Sequence, residues 1–367
     1  MRIALLTYST RPRGGVVHTL ALAEAMARAG HHVTVWSLGR GGDAAFFRPV
    51  DAAVTLRLVP FPEVPGEDVG ARILRSIDVL GAAYARGAED HDVVHAQDCI
   101  SANAVPDCVR TVHHLDTFTT PELAACHDRA IVTPRALVCV SGSVAAEVAT
   151  GWGRVATVIP NGVEAARFAA AAGPAGAAGR RAWRERLGRY VLAVGGIEPR
   201  KGTLDLVEAM ATVQARRPEL SLVVAGGETL FDYRDYRARV EARAAELGVV
   251  PVVLGPVDHD QLPALMAAAD AFAFPSTKEG FGLAAMEALA AGRPLVARDL
   301  PVLREVFGDA ASFAGDPAGF AAALLAAGDD PRRRATGQAL ADRHSWDAAA
   351  AAHLSLYAAL TGSAALT

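Results

Sequence analysis

Short strand-forming runs alternate with helical stretches along almost the whole chain, and this alternation limits the fold more than any other feature of the sequence. Arg2–Tyr8 is a predicted strand, Thr19–Ala29 is a predicted helix that ends at Gly30, and HHVTVWSL is the next predicted strand. Strands that alternate with helices pair in parallel and are covered by helices on both faces. Because the crossovers are right-handed, the result is a doubly wound α/β domain.

The chain has 367 residues, which is too long for one ordinary core and predicts two domains. The segment Ala165–Gly179 is dominated by alanine and glycine, and we predict a surface linker or loop there. The alternation restarts after it. We therefore predict one Rossmann-like domain over residues 1–165, a second over 166–344, and a C-terminal helix over 345–367 that joins the first. In such a pair of domains, ligands bind in the cleft at the carboxyl ends of the strands.

Composition argues against several classes of partner. The net charge is −4 and no basic stripe stands out, so nucleic acid is not an expected partner. No run of about 20 apolar residues is present to cross a membrane, and MRIALLTYST is a predicted strand rather than a secretory signal. The four cysteines lack CxxC spacing, which argues against zinc and favours reduced thiols in a cytoplasmic protein. Contact with a membrane surface stays open, although no feature indicates it.

Glu279 and Glu287 flank a turn that follows a strand and precedes a helix. ADAFAFP is the predicted strand, residues 280–282 are a Gly-Phe-Gly turn, and Leu283–Ala291 is the predicted helix. The N–H groups at a helix N-terminus bind anions, and carboxylates accept hydrogen bonds from hydroxyl groups. A ligand with both phosphate and sugar fits this combination, so a nucleotide-sugar site is the first hypothesis. A solvated pair of charges is the alternative.

Two further segments have the same strand–turn–helix context. In VGGIEPRKG, Arg200 and Lys201 precede a helix, where positive charges oppose the helix dipole unless an anion lies between them. We predict a phosphate site there, with a solvated basic turn as the alternative. In PRGG, Gly14 and Gly15 either let a phosphate or sugar approach the backbone closely or form a simple turn.

His113 and His114 follow a predicted strand, at the place where α/β active sites concentrate. Adjacent residues of an extended chain point to opposite sides, so we expect only one of the two to face a site. Asp116 is either an acceptor-side residue or the N-cap of the following helix. IPNGV is a turn signature that we interpret as mainly structural.

Five motifs in this order, PRGG, TVHH, IPNGV, VGGIEPRKG and EGFGLAAMEA, resemble the retaining glycosyltransferases of family 4, the group 1 glycosyltransferases. The similarity runs over nearly the whole chain. The resemblance implies the GT-B fold, with two facing Rossmann-like domains. It also implies transfer of a sugar from a nucleotide diphosphate sugar to an acceptor hydroxyl, with retention of configuration and without a metal or other cofactor.

The resemblance further implies a role for each motif. Aligned on the strand before it, His113 matches the family's active-site histidine, which contacts the donor sugar. Lys201 would contact the diphosphate, Glu279 the sugar hydroxyls and Glu287 the ribose hydroxyls. The other predicted donor-site residues, from the turns, the helix start and the nucleobase pocket, are Gly14, Gly15, Arg200, Gly280, Phe281, Gly282, Leu283 and Val257.

One position departs from the family pattern: many relatives carry an arginine where this chain has Gly196, and Arg200 is the candidate to replace it. Two other functions therefore stay open, a nucleotide-sugar epimerase and a non-catalytic nucleotide-sugar-binding subunit. No lysine has a setting suited to pyridoxal phosphate, which argues against a glycan phosphorylase. The donor base, the donor sugar, the oligomeric state and the sugar, lipid or small-molecule acceptor are not predicted.

Overall fold

The computed structural model describes residues 1–87, 90–115, 118, 120–227, 233–328 and 330–362. The chain divides into two compact units, Met1–Gly162 with Trp346–Thr367, and Val163–Ser345.

The first unit contains one parallel sheet covered by helices. Its strands are β1 (Arg2–Thr7), β2 (His32–Arg40), β3 (Val54–Phe61), β4 (Val93–Ala96), β5 (Val109–Val112), β6 (Ala136–Cys139) and β7 (Thr157–Val158). Its first helices are α1 (Gly14–Arg28), α2 (Val69–Gly87), α3 (Cys99–Ala104), α4 (Pro121–Val132) and α5 (Gly142–Trp152). The strand order is β3-β2-β1-β4-β5-β6-β7. All these strands end at the same edge of the sheet, because every pair between them is parallel.

The second unit repeats this plan. Its strands are β8 (Arg189–Val194), β9 (Leu220–Ala225), β10 (Val252–Gly255), β11 (Ala271–Phe274), β12 (Leu295–Arg298) and β13 (Ala311–Ala314), in the order β10-β9-β8-β11-β12-β13. Its helices are α6 (Ala165–Ala172), α7 (Ala177–Leu187), α8 (Thr203–Arg216), α9 (Arg234–Leu247), α10 (Leu262–Ala268), α11 (Leu283–Ala290), α12 (Pro301–Phe307), α13 (Pro317–Ala326) and α14 (Pro331–Arg343). The chain then returns to the first unit as α15 (Trp346–Thr361).

The apolar pattern explains why these segments fold as they do. All four residues of β11 are buried, as expected for a strand that helices cover on both faces. In α8, Leu206, Met210 and Val213 are fully buried and share one face of the helix at spacings of three and four. The predicted doubly wound architecture, with its alternating strands and helices, is confirmed in both units.

Buried aromatic side chains hold α15 against the first unit. His18 and His95 are fully buried, as is His353 of α15, and the His95 and His353 ring centroids lie 5.5 Å apart. Trp346 packs edge-on against His18 with ring centroids 5.3 Å apart. Burial lowers the pKa of His353 to about 4 and lowers the pKa of His18 and of His95 well below the usual value. The three imidazoles are therefore neutral at pH 7, so the buried part of this contact is uncharged, while the exposed Asp347 of α15 pairs with Arg28 at 2.6 Å.

Two predictions about local structure are wrong. The segment predicted as a linker, Ala165–Gly179, contains α6, a single 3-10 turn at Pro174–Gly176 and the start of α7. Alanine is the strongest helix former, and Phe168 gives α6 a buried anchor. Helix α1 begins at Gly14, five positions before the predicted start, because the two glycines form the first turn of the helix instead of a separate loop.

Two further findings concern membranes and thiols. Within the described ranges, no helix has the length and apolarity needed to cross a membrane. The four cysteines, all within the described ranges, form no disulfide, and three of them are buried. Burial raises the pKa of Cys108 and of Cys139 to about 12, so both are thiols at neutral pH.

Replacement of Phe168 by alanine tests whether α6 belongs to the core of the second unit. Phe168 is 1% exposed, and α6 packs on α10 and α11. We expect Phe168→Ala to lower the free energy of unfolding by about 3–5 kcal/mol, the usual cost of such a cavity. Val250→Ala, at a position 79% exposed in the same unit, should change it little. Urea unfolding measures both; equal effects would mean that α6 is a peripheral linker after all.

Candidate active site

Lys201 and Arg200 share one carboxylate oxygen. Lys201 Nζ lies 2.6 Å from Glu279 Oε1, and Arg200 Nη1 lies 3.3 Å from the same atom. Arg200 Nη2 also lies 2.8 Å from Glu198 Oε1. The Lys201 and Glu279 side chains are 21% and 11% exposed. Two cations and two carboxylates therefore meet at the carboxyl end of β8 in partly dehydrated surroundings, where charges interact more strongly than in water.

Gly202 and Arg298 fix the geometry of these charges. Gly202 has φ of +64°, and a Cβ on it would lie 2.2 Å from the Pro275 carbonyl oxygen, so only glycine fits this approach. Arg298 is 7% exposed and donates from Nε and Nη2 to the same Pro275 oxygen, at 3.1 and 3.0 Å. Arg298 also pairs with Asp205 in the first turn of α8. The loop after β11 is thereby tied to the turn that holds Lys201.

Helix α11 begins at a glycine with little space around it. Gly282 has φ of +96°, and a Cβ there would lie 3.0 Å from Phe307 Cζ and 3.1 Å from Phe274 Cε1. Phe281 is 3% exposed, and its ring centroid lies 5.6 Å from that of His344. This packing fixes the direction of α11, whose first N–H groups have no partner within the helix. The N-terminus of α11 therefore has the properties predicted for an anion site.

Glu287 is half-buried on α11, and its carboxyl group is neutral at pH 7. Its pKa is raised to about 8, chiefly by burial and also by the nearby Glu164 carboxylate, while Arg167 opposes the shift. Arg167 is itself paired with Glu164, with Nη1 and Oε2 3.0 Å apart. A protonated carboxyl group can both donate and accept a hydrogen bond, which suits a site for hydroxyl groups.

In the first unit, His113 lies against Gly15. A Cβ added to Gly15 would lie 3.5 Å from His113 Cδ2 and 3.6 Å from its Nε2, whereas a Cβ on Gly14 would meet nothing within 4 Å. Within the described ranges, the buried Nε2 of His113 has no hydrogen-bond partner. Burial, the neighbouring His114 and the Arg110 guanidinium lower the pKa of His113 to about 3. His113 is thus a neutral ring with an unoccupied polar atom next to the glycine turn.

The structure brings some of the predicted site residues together and leaves others apart. Arg200, Lys201 and Glu279 form one cluster, and Gly280 and Leu283 continue the same segment into α11. Val257 is half-buried after β10, which is separated from β8 by β9. Gly14, Gly15 and His113 group in the first unit. Asp116 lies outside the described residues. The functional roles predicted for all these residues stay predictions.

Sequence reasoning missed the residues that support this cluster. Glu198 neutralises Arg200, and Arg298 braces the Pro275 carbonyl oxygen. A signal for Arg298 was present, because it ends the apolar run LVAR in β12, and a charged residue inside a buried strand needs partners. Across the described residues, no group of three or more His, Cys, Asp or Glu side chains is arranged to hold a metal ion.

Comparison with known proteins identifies the family. The model of the group 1 glycosyl transferases matches residues 181–341, and that of glycosyltransferase family 4 matches residues 12–167. The chain is 30% identical to a glycogen synthase from Mycobacterium tuberculosis, over 98% of this chain and 95% of the relative. The chain belongs to the group 1 glycosyltransferases. It is also 32% identical to a D-inositol 3-phosphate glycosyltransferase from Xylanimonas cellulosilytica, over 98% of this chain and 97% of that one.

The fold of this glycosyltransferase agrees with the predicted GT-B type. The crystal structure of Anabaena HepE in complex with UDP and glucose superimposes with a TM-score of 0.77 at 21% identity. The match covers 97% of this chain and 99% of HepE. The family match and the identity of 30% or more to named glycosyltransferases confirm the prediction that the chain is an enzyme that transfers glycosyl groups.

The raised pKa of Glu287 predicts how the stability of this glycosyltransferase depends on pH. The folded state keeps a proton between pH 4.5, the ordinary value, and about 8, where the unfolded chain has lost it. Stability should therefore fall as pH rises through this window. Glu287→Gln cannot titrate at this position. Its free energy of unfolding should therefore rise relative to that of the wild type by about 1–2 kcal/mol between pH 5.5 and 7.5. Urea unfolding at several pH values measures this change, with Glu241→Gln as an exposed control. Parallel curves for the wild type and Glu287→Gln would contradict it.

Proposed function

We propose that this enzyme transfers a sugar from a nucleoside diphosphate sugar to an acceptor hydroxyl, with retention of the anomeric configuration. The observation that carries the proposal is the contact of Lys201 and Arg200 with one oxygen of Glu279, at the strand end that precedes α8. This cluster combines cations for a diphosphate with a carboxylate for sugar hydroxyls. The name of HepE, solved with UDP and glucose, supports a donor of this class.

The cations account for departure of the diphosphate. When the bond between the sugar and the diphosphate breaks, negative charge grows on the leaving oxygen. Lys201 and Arg200 would stabilise that charge, together with the N–H groups at the start of α11. Because the Glu279 carboxylate contacts both cations, it would lie at the junction between the diphosphate and the sugar of the donor. Its partners fix its position before the donor arrives, which reduces the cost of ordering the site.

Glu287 would recognise the ribose of the donor. Its neutral carboxyl group, with a pKa of about 8, offers one donor and further acceptors to two adjacent hydroxyl groups. Val257 would contribute an apolar wall for the base, since it is half-buried at the end of another strand.

The acceptor proton would pass to the leaving phosphate rather than to His113. A group with a pKa of about 3 is a weak base at neutral pH, so His113 is better suited to hold a hydroxyl group through Nε2. If the departing phosphate takes the proton on the face where the acceptor attacks, the configuration is retained. Proton NMR of the first product identifies the anomer formed, and an inverted anomer would overturn this part of the proposal.

We further propose that transfer needs no metal ion, because two side-chain cations already face the diphosphate position. Turnover in EDTA should therefore stay within about twofold of turnover in Mg²⁺, since the positive charge comes from the protein. Initial rates after removal of bound metal test this. A loss of activity that Mg²⁺ restores would show that the ion supplies the missing charge.

Lys201 and Lys278 are the only lysines in the sequence, which gives a matched control. Lys201→Ala removes the charge 2.6 Å from Glu279 and should lower kcat/KM by about a hundredfold or more. Lys278→Ala removes the same charge from the loop before Glu279 and should leave kcat/KM within a few-fold of the wild type. The assay measures nucleotide release with a panel of donors and acceptors. Equal rates for the two variants would rule out the role of Lys201.

A further inference from the structure

An arginine cluster lies at the carboxyl edge of the first sheet. Arg40 is the last residue of β2, Tyr8 directly follows the neighbouring β1, and Arg13 precedes α1. Arg13 Nη1 donates to Tyr8 Oη at 2.7 Å, and Arg40 Nε donates to the Tyr8 carbonyl oxygen at 3.3 Å. The two guanidinium carbons lie 5.6 and 5.1 Å from the centroid of the Tyr8 ring. All three side chains are half-buried.

Arg13 and Arg40 have no acidic partner among the described residues. Within these ranges, no carboxylate lies within ion-pair distance of either guanidinium, and the buried Nε of Arg13 has no hydrogen-bond partner. By contrast, two other arginines of the unit are paired: Arg48 lies 2.7 Å from Glu24, and Arg75 lies 2.6 Å from Glu67.

Asp98, the acidic group that acts on Arg40 from a distance, already accepts two backbone hydrogen bonds. Its Oδ1 accepts the N–H of Ser101 at 2.8 Å as the N-cap of α3, and its Oδ2 accepts the N–H of Tyr8 at 3.0 Å. Burial is the main cause that lowers the pKa of Arg40 to about 10, and repulsion from Arg72 and Arg13 contributes to the same shift. Arg40 remains charged at pH 7, so half-buried like charges persist side by side. An anion between them would relieve the repulsion.

The arginine cluster lies along the same sheet edge as His113, the predicted active-site histidine. Arg13 is followed by Gly14 and Gly15, and Gly15 lies against His113 after β5. The carboxyl ends of β1 and β5 are separated only by β4, so Tyr8 and His113 are two strand spacings apart, about 10 Å. A single sugar or cyclitol ring with one phosphate group spans a distance of this order.

We propose that Arg13 and Arg40, with the Tyr8 hydroxyl group, bind a phosphate group on the acceptor. This inference rests on the proposed function, since it names the class of acceptor for that reaction. Guanidinium groups match phosphate oxygens with paired hydrogen bonds, and the Tyr8 hydroxyl adds a further donor. Arg40 Nη2 donates to the buried Ser76 Oγ at 3.1 Å, and Ser76 donates to the Arg72 carbonyl oxygen at 2.6 Å, which fixes the Arg40 guanidinium in place. The phosphate belongs either to a soluble phosphate ester or to a lipid headgroup, which present the same chemistry to the site.

Inorganic phosphate tests the site without knowledge of the acceptor. The melting temperature of the full-length protein is measured as phosphate replaces chloride at constant ionic strength, because binding to the folded state raises apparent stability. The rise should be present in the wild type and in Arg28→Gln, a control with the same charge change on an exposed arginine of this unit. It should be lost in Arg13→Gln and in Arg40→Gln, and partly kept in Arg40→Lys. An undiminished rise in the two glutamine variants would overturn the proposal.

Lys201→Ala tests whether phosphate binds at the arginine cluster or at the donor cations. The phosphate-induced rise should survive in Lys201→Ala if phosphate binds at Arg13 and Arg40. Its loss in that variant would place the bound phosphate at the donor cations and would overturn the second site. Conversely, UDP binding measured by calorimetry should be unchanged in Arg40→Gln. Normal turnover of Lys201→Ala would contradict the proposed function and leave the phosphate result standing.

Turnover with paired acceptors tests the specificity. The wild type should prefer a phosphorylated sugar or inositol to its unphosphorylated form, and Arg40→Gln should raise KM for the phosphorylated one by about tenfold or more. KM for the donor should not change. Transfer to soluble phosphate esters identifies a free acceptor, whereas transfer only to vesicles that contain phosphatidylinositol, and not to phosphatidylcholine alone, identifies a lipid. Equal use of phosphorylated and neutral acceptors by the wild type would refute the proposal.

Discussion

Parallel pairing of every strand in the two described sheets determines where chemistry can occur in this enzyme. Because all strands of a sheet end at the same edge, residues far apart in the sequence meet in the loops beyond that edge. Lys201 follows β8 and Glu279 follows β11, and the pairing of these two strands brings them to 2.6 Å. In the first unit the same rule places Arg40, Tyr8 and His113 along one edge, each after its own strand.

The two proposed anion sites differ in how their cations are balanced. In the second unit the cations are held by Glu198 and Glu279, so under the proposed function an arriving diphosphate would enter a cluster that is already neutral and ordered. In the first unit Arg13 and Arg40 have no counter-charge within the described ranges, so the ligand itself would supply it. The first arrangement favours fixed geometry, and the second favours discrimination between charged and neutral ligands.

The sequence predicted repeated features better than isolated ones. The helix predicted after Lys201 is present as α8, Thr203–Arg216, because a buried stripe at helical spacing is a strong signal. Helix α6 was missed, since alanine and glycine composition cannot distinguish a linker from a helix with one aromatic anchor. Motifs indicated Lys201 and Glu279 as site residues, but not their shared contact, because spacing along the chain gives no distance across a sheet. Arg40 was missed altogether, since an unpaired arginine is recognisable only after its neighbours in space are known.

Helix α15 is formed by the last described residues of the chain, yet it belongs to the unit that the first residues begin. The second unit is therefore an insertion within the first. When the ribosome has released residues up to Ser345, the second unit is complete, while His18 and His95 still lack the side chains of α15 that bury them. Domains usually mature in the order in which they are synthesised. Here the order of completion is reversed, and the N-terminal unit closes its core only after α15 has been synthesised.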